Sequence, residues 1–158
     1  MTRISHIMSK EVSVLKPDDS LLIAAQTMNK MNIGAMPVCE NNRLVGMITD
    51  RDITVRGVAY GKASTTPVKN IMSADISWCF EDDLIEDVSE KMSDIQVRRI
   101  PVVNHKNELV GIVSLGDLAS RYSSQTAAKP LKDISIESDP MRTGGASLSD
   151  ITSNQAVS

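Results

Sequence analysis

Two stretches hold the residue types best suited to chemistry. Gly46-Met47-Ile48-Thr49-Asp50-Arg51-Asp52 and Gly111-Ile112-Val113-Ser114-Leu115-Gly116-Asp117 share one pattern, a glycine in an apolar run followed by Ser/Thr-x-x-Asp. The pattern has two physical readings. In one, hydroxyl and carboxylate form a capping box at a helix start, each accepting from the other residue's backbone N–H. In the other, the carboxylate takes both hydroxyls of a ribose, as acids do in dinucleotide folds, and the adjacent helix N-terminus favours a phosphate. The glycine fits close approach by either a ligand or another backbone, because it carries no side chain. Arg98-Arg99 add a guanidinium pair whose fork matches phosphate. Other chemistry has little support. His6 and His105 belong to no HExxH motif, and no GxSxG, Walker lysine loop or GxGxxG occurs. Both histidines are read as surface residues. Cys39 and Cys79 form no CxxC pair and are expected as buried free thiols, with a bridge between them left open.

The two stretches belong to an internal repeat. Ile7-Met8-Ser9 recurs as Ile71-Met72-Ser73, 64 positions on. At that offset Asp18-Asp19 matches Asp82-Asp83, Met28 matches Met92, and Met36-Pro37-Val38 matches Ile100-Pro101-Val102. Leu44-Val45-Gly46 matches Leu109-Val110-Gly111 at 65, the extra residue falling in a polar loop where an insertion is tolerated.

Each copy predicts the same elements. An extended stretch (Val12 to Leu15; Ile76 to Phe80) leads to acidic residues able to cap a helix. Helical spacing puts Leu21, Ala24, Ala25, Met28 and Met31 on one face of the first helix, and Leu84, Ile85, Val88 and Met92 on one face of its equivalent. Pro37 and Pro101 then open strands. The hairpins run Val38 to Cys39 with Leu44 to Ile48, and Val102 to Val103 with Leu109 to Val113. A second helix starts near Thr49 or Ser114, and Gly61 ends the first of these. One copy is too small to stand alone, so two are expected to share a core about a pseudo-twofold axis, an α+β unit of β-α-β-β-α repeats. The expected division is 1–62, 63–123 and a C-terminal tail, 124–158, read from its Ser, Thr, Gly and Asp content as mostly flexible, with Leu131, Ile134 and Ile136 as one docking piece.

Composition narrows the function classes. The chain has 158 residues and a net charge of −3, which speaks against a general nucleic-acid binder. No run of 18 apolar residues marks a membrane span and no signal segment is seen, so a cytoplasmic location is expected.

With Met-Ser before the first strand, a hydrophobic-Pro step and the Gly-x-x-Ser/Thr-x-x-Asp turn in both copies, the sequence resembles the cystathionine-β-synthase (CBS) domain pair, or Bateman module, over residues 4–122. Thr49-Asp50-Arg51-Asp52 and Val97-Arg98-Arg99-Ile100-Pro101 are similar to stand-alone bacterial two-CBS proteins of the hypoxic-response type. The resemblance implies a non-catalytic regulatory module with two clefts for AMP, ADP, ATP or, less commonly, NAD or S-adenosylmethionine, and no required cofactor. It implies that Asp52 and Asp117 bind ribose and that Thr49 and Ser114 hold sugar or phosphate. It further implies that Met36-Pro37 and Ile100-Pro101 flank the base, and that modules pair through their helices as homodimers. Arg98 and Arg99 match basic phosphate-facing positions in the γ subunit of AMP-activated protein kinase. Gly34-Ala35 replace them in copy one, with Arg51 in partial compensation. Asp52 and Thr49 are therefore expected to share a cleft with Arg98 and Arg99, and Asp117 and Ser114 to share the other with Gly34 and Ala35. The competing reading is a structural dimerisation module with empty clefts. A nucleotide hydrolase would need a general base or metal cluster that the sequence does not offer.

Overall fold

Helix α1 (Leu21–Met31) forms because Ser20 caps it, its side chain accepting from Ile23 N at 3.1 Å. It ends where Asn32 turns left-handed at φ 53°. A computed structural model describes residues 1–121, so the tail at 124–158 and its docking residues lie outside the described part. In chain order the elements are α1, β1 (Ala35–Glu40), β2 (Arg43–Thr49), α2 (Asp50–Asp52), β3 (Cys79–Phe80), α3 (Ile85–Ile95), β4 (Arg99–Val103), β5 (Leu109–Ser114) and α4 (Leu115–Arg121). After α2 the coil widens into a π-turn, Ile53–Gly57, and tightens into a 3-10 turn, Val58–Tyr60, which Gly61 ends at φ 68°. The architecture is α+β, with an antiparallel hairpin in each copy.

Three local expectations need correction. The buried stripe of α1 is only Leu21, Ala24 and Met28; Ala25 and Met31 are exposed, because the narrow β1–β2 ribbon faces a narrow strip of helix. The acids before the helices do not cap them. Asp19 and Asp83 instead accept from the backbone N–H three residues earlier, Lys16 at 2.8 Å and Phe80 at 2.9 Å, closing the turn that delivers each helix. Pro37 and Pro101 lie third in their strands rather than opening them. Pro37 is tolerated because the edge it presents to Leu15 begins pairing only there: Leu15 N donates to Pro37 O, and Cys39 N to Leu15 O.

The two copies are interleaved. Ile4 N donates to Asp83 O and Ser5 N to Glu81 O, both at 2.9 Å, so the leading turn of copy one docks on copy two. At the repeat offset, Val68 N donates to Asp19 O at 2.7 Å and Lys69 N to Pro17 O at 3.1 Å, docking the leading turn of copy two on copy one. The cores follow the exchange. Ile4, Ile7 and Met8 pack with Ile85, Val88, Met92, Ile100 and Val113, while Val68 and Ile71 pack with Leu21, Met28, Met36 and Ile48. Each fully buried aliphatic side chain contributes about 1.5–3 kcal/mol. The boundary at 62/63 therefore cuts across both cores, and neither sequence copy closes its own.

Both strand glycines are explained by this exchange. A Cβ on Gly46 would stand 2.6 Å from Met72 Sδ and 3.0 Å from Ser73 O. On Gly111 it would stand 2.6 Å from Met8 Sδ and 2.9 Å from Ser9 O. The close partner is another backbone: Met47 bridges to Ser73, and Ser9 to Ile112. The hairpin tips also meet, Leu109 N donating to Asn42 O at 3.0 Å over a small core of Cys39, Leu44 and Val103.

Candidate functional site

Joining the copies at their hairpin tips and exchanged turns leaves a cleft of about 670 Å³ between them. The ends of β1 and β2 supply one wall with Gly34, Ala35, Met47, Thr49 and Asp50. Copy two supplies the other from the approach to β3, the end of α3 and the start of β4: Asp75, Ile76, Ser77, Ile95, Val97, Arg98, Arg99 and Pro101. The apolar members provide a surface for a flat ring, and the polar ones stand where they can orient it.

Thr49 and Asp52 form a complete capping box. Asp52 N donates to Thr49 Oγ1 at 3.0 Å and Thr49 N to Asp52 Oδ2 at 2.9 Å. Ser114 and Asp117 repeat it, with Ser114 N to Asp117 Oδ2 at 2.8 Å and Asp117 N to Ser114 Oγ at 3.1 Å. The boxes differ in one bond. Ser114 Oγ also donates to Asp117 Oδ2 at 3.0 Å, which spends its proton inside the box. The Thr49 hydroxyl accepts in its box, so its proton can serve an acceptor in the cleft.

The structure brings Thr49, Arg98, Arg99 and Pro101 to one cleft. Both arginines are exposed, and among the described residues neither guanidinium has an ion pair or side-chain hydrogen bond. Asp52 stands behind Thr49, its Oδ1 3.9 Å from Arg56 Nε, and is not on the cleft wall. Arg51 is exposed and also off that wall. Met36 and Ile100 are both 0% exposed core residues, packed in the hydrophobic clusters of the two copies, and their side chains are not on the cleft wall. Pro37 is buried and Pro101 alone of the two prolines lines the cleft. Gly34 and Ala35 are corrected, since they share the cleft with Arg98 and Arg99 rather than standing in another. Ser114 and Asp117 lie outside it. A second cavity, about 120 Å³, lies by Lys10, Val12, Leu109 and Gly111.

Sequence reasoning missed Asp50 and Asp75. Asp50 sits inside the Thr49–Asp52 motif at a position that the capping pattern does not use. Asp75 has no motif, and only the exchanged turn carries it to the cleft. Other titratable groups stand apart from the cleft. Cys39 and Cys79 are free and buried, and burial pushes the Cys79 thiol up to about 12. His105 is exposed, stacks on Phe80 at 4.3 Å between ring centroids, and pairs with Asp82 at 3.1 Å. That bond holds the Asp82 carboxyl below its ordinary range. Among the described residues no three His, Cys, Asp or Glu side chains group as metal ligands, and no helix is long and apolar enough to cross a membrane.

Known proteins share both the repeat and its packing. The chain is 40% identical over 136 residues to the CBS domain-containing protein YhcV of Bacillus subtilis, covering 85% of this chain and 96% of that one. It is 35% identical over 136 residues to hypoxic response protein 1 of Mycobacterium tuberculosis, covering 85% and 94%. A crystal structure of hypoxic response protein I with two coordinated zinc ions superposes with a TM-score of 0.70 at 36% identity, over 77% of this chain and 98% of that one. The CBS domain pair of protein MJ0100, in complex with 5-methylthioadenosine and S-adenosyl-L-methionine, superposes with a TM-score of 0.67 at 28% identity, over 79% and 98%. The family model described as CBS domain matches residues 4–56 and again 68–124, more than half of the chain, and the protein belongs to the CBS domain family as a pair of its repeats.

Proposed function

We propose that this CBS pair is a cytoplasmic, non-catalytic regulatory module that binds an adenine nucleotide in the cleft between its copies. One observation carries the proposal: two arginines without ion pairs, Arg98 and Arg99, face the same cleft as the Thr49 hydroxyl and an apolar wall of Ile76, Ile95 and Val97. In this reading Ile76, Ile95, Val97 and Pro101 hold the base. Arg98 and Arg99 take phosphate, Thr49 donates to sugar or phosphate, and Asp52 positions Thr49 through the capping box. MJ0100, which holds two adenosyl compounds, supports the ligand class. The test is thermal denaturation with AMP, ADP, ATP, NAD and S-adenosylmethionine, followed by titration calorimetry. A ligand at about 100 times its Kd adds roughly 2.7 kcal/mol, or a Tm rise of very roughly 5–10 °C for a domain of this size. Arg99→Ala and Asp52→Ala remove the tight event, and Asp117→Ala spares it. If no adenine compound moves the transition at millimolar concentration, the proposal fails.

The exposed helix faces support a further part of the reading, a homodimer. Leu22, Ile23 and Met31 on α1 are 48%, 46% and 50% exposed, and Val58 and Tyr60 beyond α2 are 69% and 76% exposed. Apolar groups this open on adjoining turns favour a partner surface, and closed twofold pairs are the commonest solution. Sedimentation at micromolar concentration should give a dimer that Ile23→Glu dissociates; a monomeric wild type refutes it and leaves nucleotide binding standing.

A further inference from the structure

The cleft carries both signs of charge, and neither copy repeats the other's charges there. In copy one Asp50 N donates to Gly34 O at 2.9 Å; in copy two Leu115 N donates to Arg98 O at 3.0 Å. The same backbone link thus joins Gly34 to an acid in copy one, and joins a base, Arg98, to a leucine in copy two. Glycine at 34 is what lets the acid lie there, since Asp50 Oδ2 is only 3.1 Å from where a Cβ on Gly34 would stand. Asp50 Oδ1 accepts from Arg51 N at 2.8 Å, which fixes the carboxylate at the cleft wall. Asp75 adds a second exposed carboxylate on the facing wall. Among the described residues neither acid pairs with Arg98 or Arg99 within 4.0 Å, so the charges stand apart and each acts on what enters.

Resting on the nucleotide reading above, we infer that Asp50 and Asp75 set the ligand's charge, so that the cleft selects a nucleoside monophosphate over a triphosphate. One phosphate group carries about −1.5 to −2 charge at neutral pH, which two guanidinium groups match. Its diol end gives donors that a carboxylate accepts, so a monophosphate satisfies both walls. A triphosphate brings more negative charge than two arginines neutralise, and the excess meets Asp50 and Asp75 across the cleft. At cleft dimensions and an effective dielectric constant of about 20, each such repulsion weakens binding by roughly tenfold.

The experiment titrates the full chain with AMP and with ATP in EDTA, for wild type, Asp50→Asn, Asp75→Asn and the double variant, each checked by circular dichroism. AMP should bind wild type at least about tenfold more tightly than ATP, and the ATP-to-AMP ratio of Kd should fall about tenfold or more in the double variant. Raising salt should narrow the wild-type ratio by screening. ATP binding wild type as tightly as AMP, or a ratio unmoved in the double variant, overturns the inference and leaves the nucleotide site intact. No binding of either nucleotide to wild type overturns the nucleotide reading itself and this inference with it.

Discussion

Replacing Gly111 by alanine tests whether the strand glycines exist for the exchange of the two copies. The backbone there does not need glycine, since among the described glycines only Gly61 has a positive φ. What needs it is space. The new Cβ would stand 2.6 Å from Met8 Sδ, 2.9 Å from Met8 Cγ and 2.9 Å from Ser9 O, well inside the ~3.5–4.0 Å optimum for nonbonded carbon contacts. Methionine is flexible and can swing aside. Ser9 O cannot, because Ile112 N donates to it at 3.0 Å while Ser9 N donates to Ile112 O at 2.9 Å. Overpacking of this kind costs about 1–3 kcal/mol, and opening the pair of backbone bonds adds about 1 kcal/mol each. Against this, alanine restricts the unfolded chain and gains roughly 0.4–1 kcal/mol. The net expectation is a loss of about 2–4.5 kcal/mol. Urea unfolding followed by circular dichroism reads it; with m of about 1–3 kcal/mol/M the midpoint falls by roughly 1 M or more. Gly116→Ala is the control, because its Cβ meets nothing nearer than Ser114 Oγ at 3.5 Å and the site is exposed and helical. It should be neutral or stabilising by up to about 1 kcal/mol. In a cycle with Met8→Ala, the double variant should recover part of the loss but not all, since Ser9 O stays in place. A Gly111→Ala midpoint equal to or above wild type would refute the close-approach explanation and return the glycine to a role in ligand access.

Three further outcomes follow from the same geometry. Thr49→Ala and Ser114→Ala each remove a cap oxygen bonded to the N–H three residues on, and each should lower stability by about 1 kcal/mol in chemical denaturation. Burial lifts the folded Cys79 thiol to about 12, above the ordinary value of about 8.5; the folded state holds this proton more tightly, so its contribution is intact below about pH 8.5 and is lost as pH rises toward 12. Thiol titration at pH 8 should accordingly find Cys79 unreactive until urea unfolds the chain, and rapid native labelling would contradict its burial. Asp82 titrates below its usual range chiefly because His105 bonds it, so the contribution of this pair is present above the ordinary carboxylate pKa and lost as pH falls through the lowered one. His105→Ala should move the Asp82 carboxyl resonance midpoint upward in NMR titration, and no movement would show that the bond is not formed in solution.

Local order was written in the sequence because helices, hairpins and caps depend on near neighbours. The 64-residue offset of Ile-Met-Ser, the hydrophobic-Pro steps and the two Ser/Thr-x-x-Asp boxes identified both copies, their order of elements and the family. Capping boxes close within four residues, so Thr49 with Asp52 and Ser114 with Asp117 needed no tertiary information. The pairing of distant segments did. Nothing near Ile4 in the chain says that it packs with Ile85 rather than with its own copy, because any apolar side chain of that size satisfies either core. That exchange decided what the strand glycines are for. It also decided that Gly34 faces the same cleft as Arg98. Above all it decided that Asp50 and Asp75, two unremarked acids 25 positions apart in the sequence, stand on opposite walls of one site. Charges separated along a chain act on a common ligand only when the backbone between them folds back, and that return is set by long-range packing that no local pattern encodes.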